Sequence, residues 1–185
     1  MLHLMTADIL EVIRYIPHGI LLGGFIVLCV ACLQYIGGHK IVVRRLFYIG
    51  MFLIYFIVVL KTAFFSREPG SRVGEIDWRI LPNWQTAIWV RTYALENIIM
   101  FIPFGILVPL FGRWAKKFYV CIPLAMLLSI GIEASQYGTH RGFCQLEDLV
   151  MNTIGAVLGY GIWFLSHQIV NRTKRGKEDE ERKAM

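Results

Sequence analysis

The charged residues of this chain lie in short groups that separate long apolar stretches. Hydrophobic residues make up 56% of the 185 residues and charged residues only 17%, whereas soluble globular domains average roughly 45–50% apolar residues. About 20 consecutive apolar residues are enough for a helix to cross the hydrocarbon core of a bilayer. The pattern therefore predicts an all-α integral membrane protein.

Five segments are apolar enough to be membrane spans. The first contains no charged residue, and the second is interrupted only by Lys61. The third is shorter and contains Pro103 and Pro109, so it is either kinked or extended on its N-terminal side. We therefore predict about five transmembrane helices, within a membrane domain that covers residues 1–171. Their approximate ranges are 17–36, 46–65, 97–111, 118–137 and 149–167.

Basic residues follow the first, third and fifth of these spans. The three groups are Lys40, Arg44 and Arg45; Arg113, Lys116 and Lys117; and Arg172, Lys174, Arg175 and Lys177. With five spans all three groups fall on one side of the membrane, which the positive-inside rule assigns to the cytoplasm. This predicts an N-terminus outside and a C-terminus inside. The basic residues form no continuous stripe, so we expect no nucleic-acid partner.

Two segments lie outside the predicted spans. The connection 66–96 would lie on the outer side and contains three tryptophans, whose rings favour the lipid headgroup region. The C-terminal segment 172–185 is rich in charge, and we expect it to be a disordered cytoplasmic tail. Cys29 and Cys32 lie inside an apolar run and are interpreted as core residues. We expect no metal site and no cofactor.

Polar side chains gather at the predicted outer ends of the spans. Lys61 and Glu133 each lie fifteen residues from the cytoplasmic start of their spans, about 22 Å at the rise of an α-helix. Asn97 opens the third span from the outside, and Arg67 and Arg141 lie just beyond the spans. Ionisable groups at membrane depth cost free energy, so a cluster of them is a hypothesis for a functional site. We call this group and the residues that share its helix faces the polar layer.

The spacing of neighbouring residues extends this layer along two helix faces. Gln136 follows the glutamate of the fourth span by three residues, so both lie on one face. Asp148 and Asn152 are four residues apart at the start of the fifth span, and Gly155 and Gly159 continue the same stripe. Glycines at this spacing allow a neighbouring helix to approach closely. The fifth span is therefore predicted to be packed inside the bundle.

Each polar residue also has a structural interpretation. Lys61 can snorkel to the membrane interface, and Glu133 can pair with it or with Arg141 to hold helices together. The asparagines can form hydrogen bonds between helices, and Asp148 can cap the fifth helix. Pro103 is interpreted as a helix kink rather than a ligand contact.

Several of these stretches form a recognisable pattern. Residues 96–105 read Glu-Asn-Ile-Ile-Met-Phe-Ile-Pro-Phe-Gly and end in Gly105, and residues 61–67 read Lys-Thr-Ala-Phe-Phe-Ser-Arg. An ExxQ motif at 133–136 and single residues complete the pattern: Arg141, Asp148, Asn152, Gly155 and Gly159. Over roughly 45–165 the chain resembles the VanZ-like family of bacterial membrane proteins.

The resemblance implies a multi-pass protein of the bacterial cytoplasmic membrane with a link to glycopeptide antibiotics. The family's namesake is associated with teicoplanin resistance in Gram-positive bacteria. No catalytic role carries over from the family to any residue of this chain.

One class of function is recognition of a ligand in the cell envelope. In this hypothesis the polar layer, surrounded by membrane lipids, engages a lipid-linked wall precursor or a lipoglycopeptide. Arg67 and Arg141 would meet phosphate or carboxylate groups, because the guanidinium fork suits both. Amide or sugar groups of the ligand would form hydrogen bonds with the side-chain amides of Asn97, Gln136 and Asn152.

Two other classes remain open. An intramembrane enzyme acting on such a lipid would use Glu133 and Asp148 as an acid/base pair, with Arg141 stabilising developing charge. A transporter or channel is disfavoured, since the polar groups lie at one leaflet and the chain shows no inverted repeat.

Overall fold

The computed structural model describes residues 2–65, 76–79, 88–142 and 144–184. In this part of the chain five helices are long and apolar enough to cross a membrane. They are α1 (Leu2–Ile36), α2 (Val43–Leu60), α3 (Ile88–Leu107), α4 (Phe118–Gly138) and α5 (Leu146–Ala184). The prediction of an all-α membrane protein with five spans is confirmed. The orientation of the termini stays a prediction.

The ends of the second and third spans depart from regular α-helix. A π-helical turn, Lys61–Phe65, follows α2, and a 3₁₀ turn, Val108–Phe111, follows α3. Helix α3 begins at Ile88, nine residues before the predicted start at Asn97, so the predicted connection 66–96 loses its last part to this helix. No glycine or proline lies between 88 and 96 to stop the helix. Pro103 lies inside α3, which continues past it to Leu107.

The C-terminal segment also differs from its prediction. Disorder was expected for 172–185, but α5 runs on without a break to Ala184. Lys174, Glu178 and Arg182 follow one another at four-residue intervals with alternating charge, a spacing that supports an exposed helix. The side chains of 172–182 are exposed, so this part of α5 is helical without tertiary support.

Helices α2 to α5 enclose the apolar core, and α1 lies at its side. The buried cluster includes Val59 of α2, Phe101 of α3, Cys121 of α4 and Ala156 of α5. Helix α1 packs mainly against α2, and most of its described side chains are exposed. The core therefore positions the ends of four helices relative to one another, while α1 leaves a long flank open to lipid.

Helices α3 and α5 cross at unusually short range through glycines. A Cβ atom added at Gly155 or Gly159 would lie well inside 3.0 Å of the backbone carbonyls of Ile98 and Ile102. On the opposite side, a Cβ atom at Gly105 would meet the backbone of α5 equally closely. The four-residue glycine spacing thus packs α5 directly against α3, as the sequence predicts.

A short strand pair joins the two connections at one end of the bundle. Strand β1 (Ile76–Asp77) pairs in parallel with β2 (Cys144–Gln145), with Ile76 opposite Cys144. The α2–α3 connection and the α4–α5 loop therefore meet at the same end, a contact that hydropathy did not predict. At the other end the hydroxyl of Tyr160 donates a hydrogen bond to the carbonyl of Lys116 at 2.7 Å.

Candidate functional site

The polar layer lies at the end of the bundle marked by the strand pair. The structure describes seven of its predicted members, Lys61, Asn97, Glu133, Gln136, Arg141, Asp148 and Asn152. The eighth, Arg67, lies outside the described residues. The seven come from the end of α2, the first half of α3, the end of α4 with its following loop, and the start of α5. Hydrogen bonds tie these elements to one another.

The first contact links α3 to α5. The side-chain nitrogen of Asn97 donates to a carboxylate oxygen of Asp148 at 2.7 Å, between residues 51 positions apart in sequence. Hydrogen bonds to an ionised carboxylate are short and roughly twice as strong as neutral ones. Both side chains are half-buried. This bond sets the register of α3 against α5 just before the glycine contacts begin.

The second contact gives Glu133 a structural partner. Its side chain is 4% exposed, and Oε2 accepts the backbone N–H of Gln145 at 2.9 Å, one residue before α5 begins. The N-terminus of a helix carries unpaired N–H groups and a partial positive charge, which favour a carboxylate there. Our sequence interpretation offered Asp148 as the cap of this helix. The structure shows Glu133, from the preceding helix, accepting the N–H at this end.

The start of α5 is more acidic and more buried than the sequence analysis anticipated. Glu147 and Asp148 both lie in its first turn, and Glu147 is 8% exposed. With Glu133 they place three carboxylates around one helix N-terminus. The sequence analysis did not select Glu147 because it assigned this residue to the loop before the fifth span. Its position in the first turn of an apolar helix, where a carboxylate is favoured, could have identified it.

The third contact links α4 to the end of α2. Gln136 is 2% exposed, and its Nε2 donates to the carbonyl of Ala63 at 2.6 Å. A carbonyl only accepts, so this bond fixes which end of the amide faces α2. The acceptor lies in the π-helical turn after α2, and such turns are frequent at functional sites. The other end of the amide, Oε1, is buried without a hydrogen-bond partner among the described residues.

The fourth contact lies deeper, between α4 and α5. The side-chain nitrogen of Asn152 donates to the hydroxyl of Ser129 at 2.9 Å, and both residues are at most 1% exposed. In the described part of the chain, Asn152 Oδ1 has no hydrogen-bond partner. Ser129 was missed by the sequence analysis, since one serine in an apolar helix carries no distinctive pattern.

A tight helix ending brings Arg141 back towards the layer. The backbone N–H of Arg141 donates to the carbonyl of Gln136 at 2.9 Å, and that of His140 donates to Tyr137 at 3.2 Å. These two bonds form a Schellman motif, which ends a helix with one residue in the left-handed region. That residue is His140, at φ 52°. Arg141, which follows it, is half-buried.

Both carboxylates of the proposed acid/base pair therefore accept hydrogen bonds that hold helices together. Each of the two carboxylates thus has a hydrogen-bond partner on another element of the bundle. Among the described residues no three histidine, cysteine or carboxylate side chains are grouped to hold a metal ion. The glycines lie at the α3–α5 contact. A packing role for Pro103, which lies inside α3, stays a prediction.

Cys144 provides a reporter of the charge in this layer. Partial burial and the nearby carboxylates of Glu133 and Asp148 raise the pKa of its thiol above the ordinary value. Because the thiolate is the nucleophile, we expect slow alkylation near neutral pH that accelerates as the pH rises. Asp148→Asn removes one carboxylate charge, lowers this pKa and should speed the reaction at a given pH. The rate is measured with a membrane-impermeant maleimide on intact cells.

The control for this measurement is a chain in which Cys144 is the only cysteine, made by replacing Cys29, Cys32 and Cys121 with alanine. If Asp148→Asn leaves the rate unchanged at every pH, the carboxylate does not act on the thiol. If labelling requires permeabilised cells, the predicted orientation is wrong, because Cys144 then faces the cytoplasm.

Comparison with known proteins relates this chain to a family and to a curated protein. A family described as VanZ/LLP1 matches residues 51–167. Protein VanZ of Enterococcus faecium is 30% identical over 80 residues, which cover 43% of this chain and 49% of that protein. The chain thus spans about half the length of this curated relative. No solved structure matches the chain. The family match contains every described member of the polar layer and excludes α1.

Proposed function

The chain belongs to the VanZ/LLP1 family, and we propose that its polar layer recognises a ligand of the bacterial cell envelope. In this proposal the protein lies in the cytoplasmic membrane, with the layer at the outer leaflet, and raises tolerance of the glycopeptide antibiotic teicoplanin. The ligand is a lipid-linked wall precursor or the lipoglycopeptide itself, both of which carry amide, sugar and acidic groups.

The observation that carries the proposal is the pair of buried amides, Gln136 and Asn152. Each amide nitrogen is held by a partner on another helix, while each amide oxygen is buried without a hydrogen-bond partner among the described residues. An unpaired buried acceptor costs free energy, roughly 1–3 kcal/mol. A ligand or a bound water that donates a hydrogen bond recovers that cost. The layer thus contains two acceptors oriented by the fold, which a ligand entering between the helices would satisfy.

Charge complements these acceptors. Arg141 lies half-buried at the rim, on the loop that the Schellman motif folds back. Its guanidinium suits phosphate or carboxylate groups in two-pronged contacts. The carboxylates of the layer, in contrast, suit ligands that donate amide or hydroxyl hydrogens. A site with both features fits a zwitterionic or amide-rich ligand better than a simple anion.

The test is the teicoplanin inhibitory concentration in a susceptible Gram-positive host. It compares empty vector, the wild-type chain and Arg141→Ala, Glu133→Gln and Asp148→Asn variants at matched membrane levels. Wild type should raise tolerance and the three variants should lose it. Removing a charged hydrogen-bonding partner such as Arg141 should weaken ligand binding on the order of tenfold.

Arg113→Ala is the matched control, since Arg113 is an exposed arginine at the opposite end of the bundle. It should protect as wild type does. If wild type gives no protection despite good expression, the tolerance proposal fails for this protein. If wild type and all variants protect equally, the layer is structural.

A further inference from the structure

An apolar groove runs between α1 and α2 on the flank of the bundle. It is shallow and open along the surface, with a volume of about 440 Å³, and Leu21 and Phe25 of its lining are exposed. Its lining consists of His18, Leu21, Leu22 and Phe25 from α1, Ile57 from α2, and Lys61 from the π-helical turn after α2. The α1 residues follow the 3- and 4-residue spacing of one helix face, over about 10 Å. The groove is therefore elongated along the helix axes and suits a hydrocarbon chain.

Glycines hold the two helices together beside this groove. A Cβ atom at Gly19 would lie 3.1 Å from the carbonyl of Ile54, and one at Gly23 would lie 3.2 Å from the side chain of the same residue. On the neighbouring face of α1 the larger side chains Leu22 and Phe25 are exposed and line the groove. The groove exists because small and large residues lie on adjacent faces of α1.

One end of the groove is polar and adjoins the polar layer. Lys61 begins the π-helical turn, and Ala63, two residues on, accepts the hydrogen bond from Gln136. His18 brings a second nitrogen donor from α1 to the same groove. The remainder of the lining is hydrocarbon. A ligand matching this arrangement has an apolar chain at one end and an anionic group at the other.

We propose that the groove between α1 and α2 binds the hydrocarbon chain of a single-chain lipid phosphate, with its phosphate at Lys61 and His18. The inference rests on the proposed function, and it names the class of ligand: a lipid-linked precursor carries one chain on a phosphate. The ammonium of Lys61 complements the anion as a point charge with three donors. Lipid tails are as apolar as the groove lining, so the contact of the phosphate with Lys61 and His18 supplies the preference for this lipid. The same contact fixes the depth at which the headgroup meets the polar layer.

A single chain fits better than a diacyl lipid. The groove is lined by one face of α1, by Ile57 of α2 and by Lys61 of the following turn, which is room for one chain. The phosphate of such a lipid presents acceptor oxygens to the two donors at this end of the groove. Helix α1 lies outside the segment that matches the family, whereas Ile57 and Lys61 lie inside it.

Binding of radiolabelled farnesyl phosphate to the full chain in phosphatidylcholine nanodiscs tests this proposal. Farnesol provides the same chain without the phosphate, and phosphatidylglycerol provides an ordinary anionic lipid as competitor. Wild type should bind farnesyl phosphate saturably, at least about tenfold more tightly than farnesol. Lys61→Met should remove that preference, and Leu22→Trp should fill the groove and abolish binding of both.

Two matched variants control for general damage. Ile20→Trp adds the same ring two residues away on an exposed part of α1 outside the groove lining, and Lys117→Met removes an exposed lysine at the opposite end. Both should bind as wild type does. Each variant is accepted only if it elutes as wild type does in size-exclusion chromatography.

Three results would overturn the proposal. Wild-type binding by Leu22→Trp places the chain elsewhere, and a retained phosphate preference in Lys61→Met places the phosphate elsewhere. Competition by phosphatidylglycerol as strong as by unlabelled farnesyl phosphate assigns the groove to ordinary membrane lipid. If farnesyl phosphate fails to bind while the Arg141 variant still loses tolerance, the groove proposal fails and the proposed function stands. If farnesyl phosphate binds as expected while the Arg141 variant keeps its tolerance, the proposed function fails and the groove proposal stands.

Discussion

Gly159→Ala is expected to lower the melting temperature of the purified protein by roughly 6–12 °C. The added methyl group would lie against the backbone carbonyl of Ile102, which cannot rotate away as a side chain can. Overpacking of this kind costs about 3 kcal/mol, and 1 kcal/mol corresponds to about 2–4 °C for a chain of this size. Thermal unfolding in detergent, followed by circular dichroism, measures the change.

Gly161→Ala is the matched control because it makes the same substitution two residues along the same helix. A Cβ atom there has nothing within 4 Å, and alanine is the better helix former. Its melting temperature should equal that of wild type or exceed it slightly. Equal melting temperatures for Gly159→Ala and Gly161→Ala would contradict the close packing of α3 against α5.

The second large effect is expected from Gln136→Glu, which keeps the shape of the side chain but removes its donor. A carboxylate would then face the carbonyl of Ala63, which lies 2.6 Å from the amide nitrogen in the wild type. Two acceptors cannot share a hydrogen bond, and a buried charge without a partner costs about 3–5 kcal/mol. Gln136→Leu removes the bond without adding charge and should cost less, roughly 1–3 kcal/mol.

Chemical or thermal unfolding of the two variants and of wild type measures their stabilities, which should decrease from wild type to the leucine variant to the glutamate variant. Gln168→Glu makes the same change at an exposed position of α5 and should have little effect. If the leucine variant, which has no donor, is as stable as wild type, the bond between α4 and the turn after α2 contributes nothing. If leucine costs more than glutamate, loss of packing outweighs the acceptor repulsion.

The membrane class and the five spans followed from the sequence because hydropathy and helix rise are one-dimensional properties. The run without charge at 17–36 and the basic groups after alternate spans specify helices and their ends without any tertiary contact. The same reasoning placed Lys61, Asn97 and Glu133 at one depth. Depth follows from counting residues along a helix, and the contacts of the polar layer are compatible with that count.

The tail shows where such reasoning stops being reliable. A charged composition predicted disorder for 172–185, yet α5 continues to Ala184. Composition measures how little apolar surface a segment buries, but it ignores the nucleus that a preceding helix supplies. Extending an existing helix needs no new nucleation, so a segment with favourable charge spacing can continue it.

Partners across the bundle were decided by the tertiary structure alone. The sequence determined that this chain forms five spans, that glycines on the fifth span allow close packing, and that polar groups gather at one end. Only the fold decided that Glu133 accepts the N–H of Gln145, that Asn97 bonds Asp148, and that a groove opens beside α1. The reason is physical: local periodicity specifies depth and face along one helix, whereas a partner depends on how two helices rotate and cross.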